Sequence, residues 1–172
     1  MKMVRWAMRS LALSLIFLAT ASAGELSNRR APGFSLPDVE LKQHDLYDLR
    51  GKVVLLEIMK TDCPLCGPTA AVMEQMKKKY GDKIGVLSIV LPPDTQVTVR
   101  AFANRHVLTY PILFDCGQVA SSYLKTSPAR PRIHLPHLFV IDKEGMIRED
   151  WESELAVRTP DELSAEIEKL LK

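Results

Sequence analysis

Two short apolar runs, Val53-Val54-Leu55-Leu56-Glu57-Ile58 and Ile84 to Leu91, bracket a stretch whose periodicity is helical. Runs of this length without alternation suit strands buried on both faces, as in a parallel sheet. Between them Val72, Met73, Met76 and Tyr80 fall on one helical stripe, and Gly81 supplies a C-terminal stop. The segment reads as strand–helix–strand. Two parallel strands joined by a helix commit the chain to a layered α/β sandwich.

The flanking sequence fits that frame. Val99, Phe102, Ala103 and His106 mark a second helix beyond the Pro92-Pro93 break, and Ile112-Leu113-Phe114 reads as a short strand. Leu138 to Ile141 and Met146-Ile147-Arg148, joined by Asp142-Lys143-Glu144-Gly145, predict a β-hairpin. A last helix is predicted from Thr159-Pro160-Asp161-Glu162: Thr caps, Pro takes the first helical position, and Glu closes a capping box. Leu163, Ile167 and Leu170 give it a buried stripe. Gly24 to Pro37 reads as an extended lead-in, and Thr126 to Pro136, with three prolines, as loop.

The chemistry sits where the first strand meets its helix, at Cys63-Pro64-Leu65-Cys66. Cys63 is expected at the helix N-terminus, with Pro64 in the first turn where its missing N–H costs little. Unpaired N–H groups and the helix dipole there favour a thiolate. Cys66, one turn on, is placed to resolve a mixed disulfide, which gives two-electron exchange without a cofactor. Zinc sites use the same spacing, but zinc needs two further ligands. No second C-x-x-C and no H-x₃-H is present, so redox chemistry is the favoured reading.

The N-terminus is a separate object. Met1 to Ser10 carries Lys2, Arg5 and Arg9 and no acid; an apolar run, Leu11 to Ala19, and then Ala21-Ser22-Ala23 follow. These are the three parts of a secretory signal peptide, with cleavage expected after Ala23. The apolar run is shorter than the roughly 20 residues a bilayer span needs, so no stable membrane insertion is expected after cleavage. An uncleaved membrane anchor is the alternative. Residues 1–23 are thus a leader and 24–172 one domain, since 172 residues support one core rather than two.

The precursor carries a formal charge of +2, and losing Lys2, Arg5 and Arg9 takes the mature chain to −1. That balance offers no electrostatic case for nucleic acid as a partner. All three cysteines, Cys63, Cys66 and Cys116, lie in the mature part, where export lets disulfides form and persist. A close pair with one left over suggests redox chemistry more than stapling.

From Ala31 to Lys172 the sequence resembles the TlpA/ResA-like branch of the thioredoxin superfamily, related to the AhpC/TSA redoxins. The carriers are Ala31-Pro32-Gly33-Phe34, Gly51-Lys52-Val53-Val54-Leu55 and Cys63-Pro64-Leu65-Cys66. Thr109-Tyr110-Pro111-Ile112-Leu113-Phe114-Asp115 and the run from Pro136 to Gly145 complete the set. The resemblance implies a thioredoxin fold, a central mixed sheet flanked by helices, with an extra strand–helix insertion after the C-x-x-C helix. It also implies a periplasmic protein exchanging disulfides with exported protein thiols, acting as a reductant, including in cytochrome c maturation. A membrane electron carrier would recharge it, and it would work as a monomer without a bound cofactor.

The resemblance assigns Pro136 to the family's cis-proline, whose loop faces the cysteine pair and takes a substrate strand. His137 follows it, either near Cys63 or as a half-exposed loop residue. Departures stand out. Asp62 replaces the family's usual Trp, and a carboxylate beside a thiolate disfavours the anion. Pro68, near the start of the helix, is expected to strain or kink it. The approach from Thr126 to Leu135 is longer than usual. Cys116 reads as a small buried hydrophobe, with a second-site or regulatory thiol open to oxidation as the alternative, and His44, His106 and His134 show no metal-ligand spacing with one another.

Glu57 interrupts the first strand, where an unpartnered buried carboxylate costs several kcal/mol. It either reaches Lys60, another base or solvent, or acts as a buried acid. It stands six residues before Cys63, where thioredoxin-like proteins place an acid behind the active-site disulfide. Desolvation would then raise its pKa toward neutrality, fitting it to take a proton from the resolving thiol. Two rivals remain. A thiol peroxidase with antioxidant activity shares the fold but wants Thr three residues before its cysteine, where Lys60 stands. A Sco-like copper chaperone wants C-x₃-C rather than C-x₂-C.

Overall fold

The structure, a computed structural model, describes residues 24–129 and 131–172; the expected leader, 1–23, lies outside the described residues. Among the described residues eight strands form in chain order: β1 (Arg29–Arg30), β2 (Ser35–Pro37), β3 (Gln43–Asp45) and β4 (Val53–Met59) come first. β5 (Ile84–Val90), β6 (Ile112–Phe114), β7 (His137–Ile141) and β8 (Met146–Glu152) follow. The helices are α1 (Cys66–Tyr80), α2 (Gln96–His106), α3 (Gln118–Leu124) and α4 (Pro160–Leu171).

Six strands make one mixed sheet in the order β1-β8-β7-β4-β5-β6. β4 lies inside it, parallel to β5 from Val53↔Ile84 to Met59↔Val90 and antiparallel to β7 from Val54↔Ile141 to Ile58↔His137. Every residue of β4 and β5 is buried, which is why neither alternates in sequence. Side chains still alternate between two cores. Val53, Leu55 and Met59 pack with Cys66, Ala70 and Met73 of α1, Val99 and Phe102 of α2, and Leu163 and Ile167 of α4. Val54, Leu56 and Ile58 pack with Tyr123 and Leu124 of α3 and with Leu26 and Phe34 of the lead-in segment.

The local signals explain most boundaries. α1 ends at Gly81, whose φ of 55° lies in the left-handed region. α4 begins as expected: Thr159 Oγ1 accepts from the Glu162 N–H at 3.3 Å, and Glu162 Oε2 accepts from the Thr159 N–H at 2.9 Å. α2 with β6 is the added unit, placing an edge strand beside β5.

Three expectations are corrected. The hairpin strand β8 runs on to Glu152 with a bulge at Val140/Ile141, because Glu149, Asp150 and Glu152 hide its strand pattern. α3 has no signature in the sequence. Gly117 is its cap residue, and two residues earlier the Asp115 carboxylate accepts from the N–H groups of Val119 (3.2 Å) and Ala120 (2.8 Å) in its first turn. Pro68 does not break α1, which runs unbroken from Cys66 to Tyr80. Pro68 falls in the first turn, where N–H groups lack intrahelical partners anyway.

Candidate active site

β4 delivers the chain to the cysteines, and a clamp from the next crossover holds the turn. The Thr61 N–H donates to Asp94 Oδ2 at 3.0 Å, and the Thr61 hydroxyl donates to the other oxygen of the same carboxylate. Asp94 follows β5, so the turn is tied to the strand beside its own. The Cys63 N–H donates to the Lys60 carbonyl and the Cys66 N–H to the Cys63 carbonyl, each at 3.3 Å. Regular helix therefore starts at Cys66, with Leu65 as cap residue. Cys63 and Pro64 lie in the turn before it rather than in its first turn, a one-turn correction to the expected start.

The two thiols are free and differ in access. Cys63 is half-buried and Cys66 fully buried. Burial pushes the Cys66 thiol pKa far up, reinforced by the negative charge of Glu57 and a hydrogen bond with Cys63; the Lys60 backbone opposes the shift. The Thr69 hydroxyl donates to the Leu65 carbonyl at 3.1 Å and reaches the Ala156 carbonyl at 3.5 Å, tying the start of α1 to the segment after β8.

Glu57 settles between its two readings. It is 0% exposed and meets neither Lys60 nor solvent. Oε2 accepts from the Ser88 hydroxyl at 2.8 Å, while Oε1 has no hydrogen-bond partner. Desolvation pushes its pKa from the ordinary 4.5 to about 8, against the opposing Ser88 hydrogen bond. Ser88 lies directly across the β4–β5 register from Glu57. Its hydroxyl also lies 3.4 Å from Tyr110 Oη, which reaches the Ala70 carbonyl at 3.5 Å. Cys66, Ala70, Met59 and Tyr110 belong to one core, so Glu57, Ser88 and Tyr110 form a polar thread through apolar packing behind Cys66.

Ser88, Tyr110 and Asp94 are functional neighbours that the sequence reading missed. A signal existed for Ser88. It is the lone polar side chain in the run from Ile84 to Leu91, four residues into β5 as Glu57 is four residues into β4.

The Leu135–Pro136 peptide bond is cis. β7 pairs with β4 up to Ile58↔His137, and one further step of that register brings Pro136 beside Met59, where the cysteine turn departs. The Ser153 N–H donates to the Pro136 carbonyl at 2.9 Å.

His137 is neither near the thiols nor a half-exposed loop residue. It is 2% exposed, begins β7, and stacks on Phe139 at 4.4 Å on the face away from Cys66. Strand alternation put it there. Cys116 is exposed rather than buried, because β6 ends at Phe114 and the chain turns outward. Asp62 is exposed. His44 pairs with Asp38 at 2.7 Å, and His106 stacks on Phe102 at 4.6 Å.

Solved structures share this fold. A thioredoxin-family thiol:disulfide interchange protein from Chlorobium tepidum TLS superposes with a TM-score of 0.73 at 19% identity, covering 84% of this chain and 97% of that one. A secreted Mycobacterium tuberculosis disulfide oxidoreductase homologous to E. coli DsbE gives 0.67 at 20%, covering 80% and 96%. The fold is that of thioredoxin, and the protein is a thiol–disulfide oxidoreductase of the TlpA/ResA-like kind.

The chain belongs to the AhpC/TSA family, whose pattern matches residues 27–150. It is 33% identical to the thiol-disulfide oxidoreductase ResA of Bacillus thuringiensis (strain Al Hakam) over 143 residues, 83% of this chain and 77% of that protein. It is 31% identical to the thioredoxin-like protein YneN of Bacillus subtilis (strain 168) over 128 residues, 73% and 71% respectively. No helix among the described residues is long and apolar enough to cross a membrane.

Proposed function

We propose that the mature protein is a periplasmic reductant that transfers two electrons from Cys63 and Cys66 to disulfides of exported proteins, cytochrome c maturation being one setting. The observation that carries this reading is the split in access, with Cys63 half-buried and Cys66 fully buried against the carboxyl of Glu57.

Cys63 thiolate attacks one sulfur of the substrate disulfide, forming a mixed disulfide and expelling the other substrate sulfur as thiolate. Glu57 carboxylate then takes the proton of the Cys66 thiol. The resulting Cys66 thiolate attacks Cys63 Sγ, closes the Cys63–Cys66 disulfide and releases the second substrate thiolate. The protein is oxidised by two electrons and the substrate reduced by two. A membrane electron carrier returns the pair to the dithiol. The loop carrying cis-Pro136 faces the thiols and takes the substrate strand. No metal or cofactor takes part, and the protein works as a monomer.

Trapping tests the assignment. Cys66→Ser should accumulate mixed disulfides between Cys63 and periplasmic proteins, and Cys63→Ser should accumulate none. Alkylation of reduced wild type that labels Cys66 faster than Cys63 would reverse the roles. Rapid peroxide consumption that survives Cys66→Ser would replace the reading by a peroxidase one.

A further inference from the structure

The described chain begins against a buried carboxylate. The Leu26 N–H donates to Asp150 Oδ1 at 3.1 Å, and Ser27 anchors the preceding turn by donating from its N–H (3.2 Å) and hydroxyl (2.7 Å) to the Gly24 carbonyl. Gly24 is pressed so close that a Cβ there would stand 2.3 Å from Asp150 Oδ1 and 2.4 Å from its Cγ. By standard backbone geometry the Gly24 nitrogen then lies within about 5 Å of Oδ1.

This contact lines a cavity of about 510 Å³ that also takes in His137, Glu152, Arg132 and His134. Asp150 is 7% exposed. His137 stands 3.5 Å from Asp150 and 3.8 Å from Glu152, yet neither of its ring nitrogens makes a hydrogen bond among the described residues. Arg29 acts on Asp150 at longer range, while its guanidinium donates to the carbonyls of Leu26 and Tyr123. The corner holds two carboxylates and an imidazole that lacks hydrogen bonds, and has space for a small cation that also donates them.

We infer that the occupant is the protein's own new N-terminus: removal of the leader turns Gly24 into an α-ammonium bound by Asp150, with Glu152 and His137 completing the site. This rests on the export reading above. Hydrolysis of the Ala23–Gly24 bond by a leader peptidase takes up one water, leaving a carboxylate on Ala23 and an amine on Gly24, which protonates. In the precursor the same nitrogen is a neutral amide. Processing therefore adds a cation beside a buried carboxylate, and a residue larger than glycine at 24 would clash with that carboxylate.

The titratable groups lining the cavity with Gly24 are Glu25, Arg132, His134, His137, Asp150 and Glu152, and Arg29 acts on Asp150 from outside it. Carboxylates hold an ammonium protonated, so the α-amine should titrate at least one unit above its ordinary range of about 7.7–8.0, a tenfold tighter proton. A raised folded pKa gives stability that is present below the ordinary value and lost as pH rises through the folded one.

The measurement is NMR titration of isotope-labelled Gly24 in the processed chain. The raised value is expected, with a return to the ordinary range in Asp150→Asn, which still offers Oδ1 to Leu26. Should that variant fail to fold, the processed chain is compared with its Nα-acetylated form. The free amine should add thermal stability at pH 7 that disappears by pH 10, and identical pH dependences would overturn the site. Intact mass separates the two readings. Native protein that retains its leader, or starts elsewhere, overturns both this site and the export reading; a Gly24 start with an ordinary amine pKa overturns this site alone.

Discussion

At the scale of single residues the decisive object is Glu57. Its carboxyl keeps its proton to about pH 8, so at pH 7 roughly a tenth is ionised, the fraction that takes the Cys66 proton in the proposed mechanism. Glu57→Gln should slow dithiol oxidation at neutral pH by about tenfold or more, and flatten the rate profile between pH 5 and 9. Stopped-flow profiles identical to wild type would reduce Glu57 to a structural role. The same group has a stability consequence of fixed sign. Its folded pKa is raised, so stability held below pH 4.5 is lost as pH rises through about 8. Glu57→Gln should therefore gain on wild type in urea denaturation as pH climbs from 5 to 9. Ser88 works in the opposite sense, since its donated hydrogen bond favours the carboxylate. Ser88→Ala should shift the rising limb of the rate profile toward alkaline pH by about one unit, the worth of a hydrogen bond to a charged group. An unshifted limb would show that Ser88 only fills space.

At the scale of elements, the site is a joint between β4 and α1 that the neighbouring crossover steadies. Asp94 satisfies two donors of Thr61 and accepts from the Thr98 hydroxyl at 2.8 Å, linking the cysteine turn to the start of α2. Asp94→Ala strands those donors and should cost about 1–3 kcal/mol. If the clamp also positions Cys63, mixed-disulfide formation slows as well. Chemical denaturation and single-turnover reduction of a model disulfide, measured on one preparation, separate the two effects; unchanged stability would contradict the clamp.

At the scale of the whole molecule, the question is which way electrons flow. Strong oxidants of this fold stabilise their thiolates, which holds the dithiol reduced and raises the potential. Here burial and the Glu57 charge push the Cys66 pKa far up, so that stabilisation is missing at the second cysteine. The expected potential lies toward the thioredoxin end of the scale, more negative than about −200 mV. Equilibration against a glutathione series measures it, and a value near −120 mV would make the protein an oxidant.

The amino-acid sequence by itself determined β4, α1, β5 and α4, because patterns set within about 15 residues, apolar runs, one helical stripe and a capping box, are satisfied locally. It placed Cys63 and Cys66 at the right joint, and marked Glu57 as a polar break that needed a reason. Tertiary structure decided the rest. Only the β4–β5 register sets Ser88 beside Glu57, and only the packing of α1 on the sheet brings Cys66 close enough for that charge to raise its pKa. Alternation along β7 sent His137 to the far face, where chain neighbours alone had left it beside the thiols or half in solvent. Gly24 and Asp150 lie 126 positions apart and meet because β1 adds to the edge of β8. Local signals fix an element through its own hydrogen bonds; which side chains then share a dry interior depends on pairing across long separations, which no short window of sequence contains.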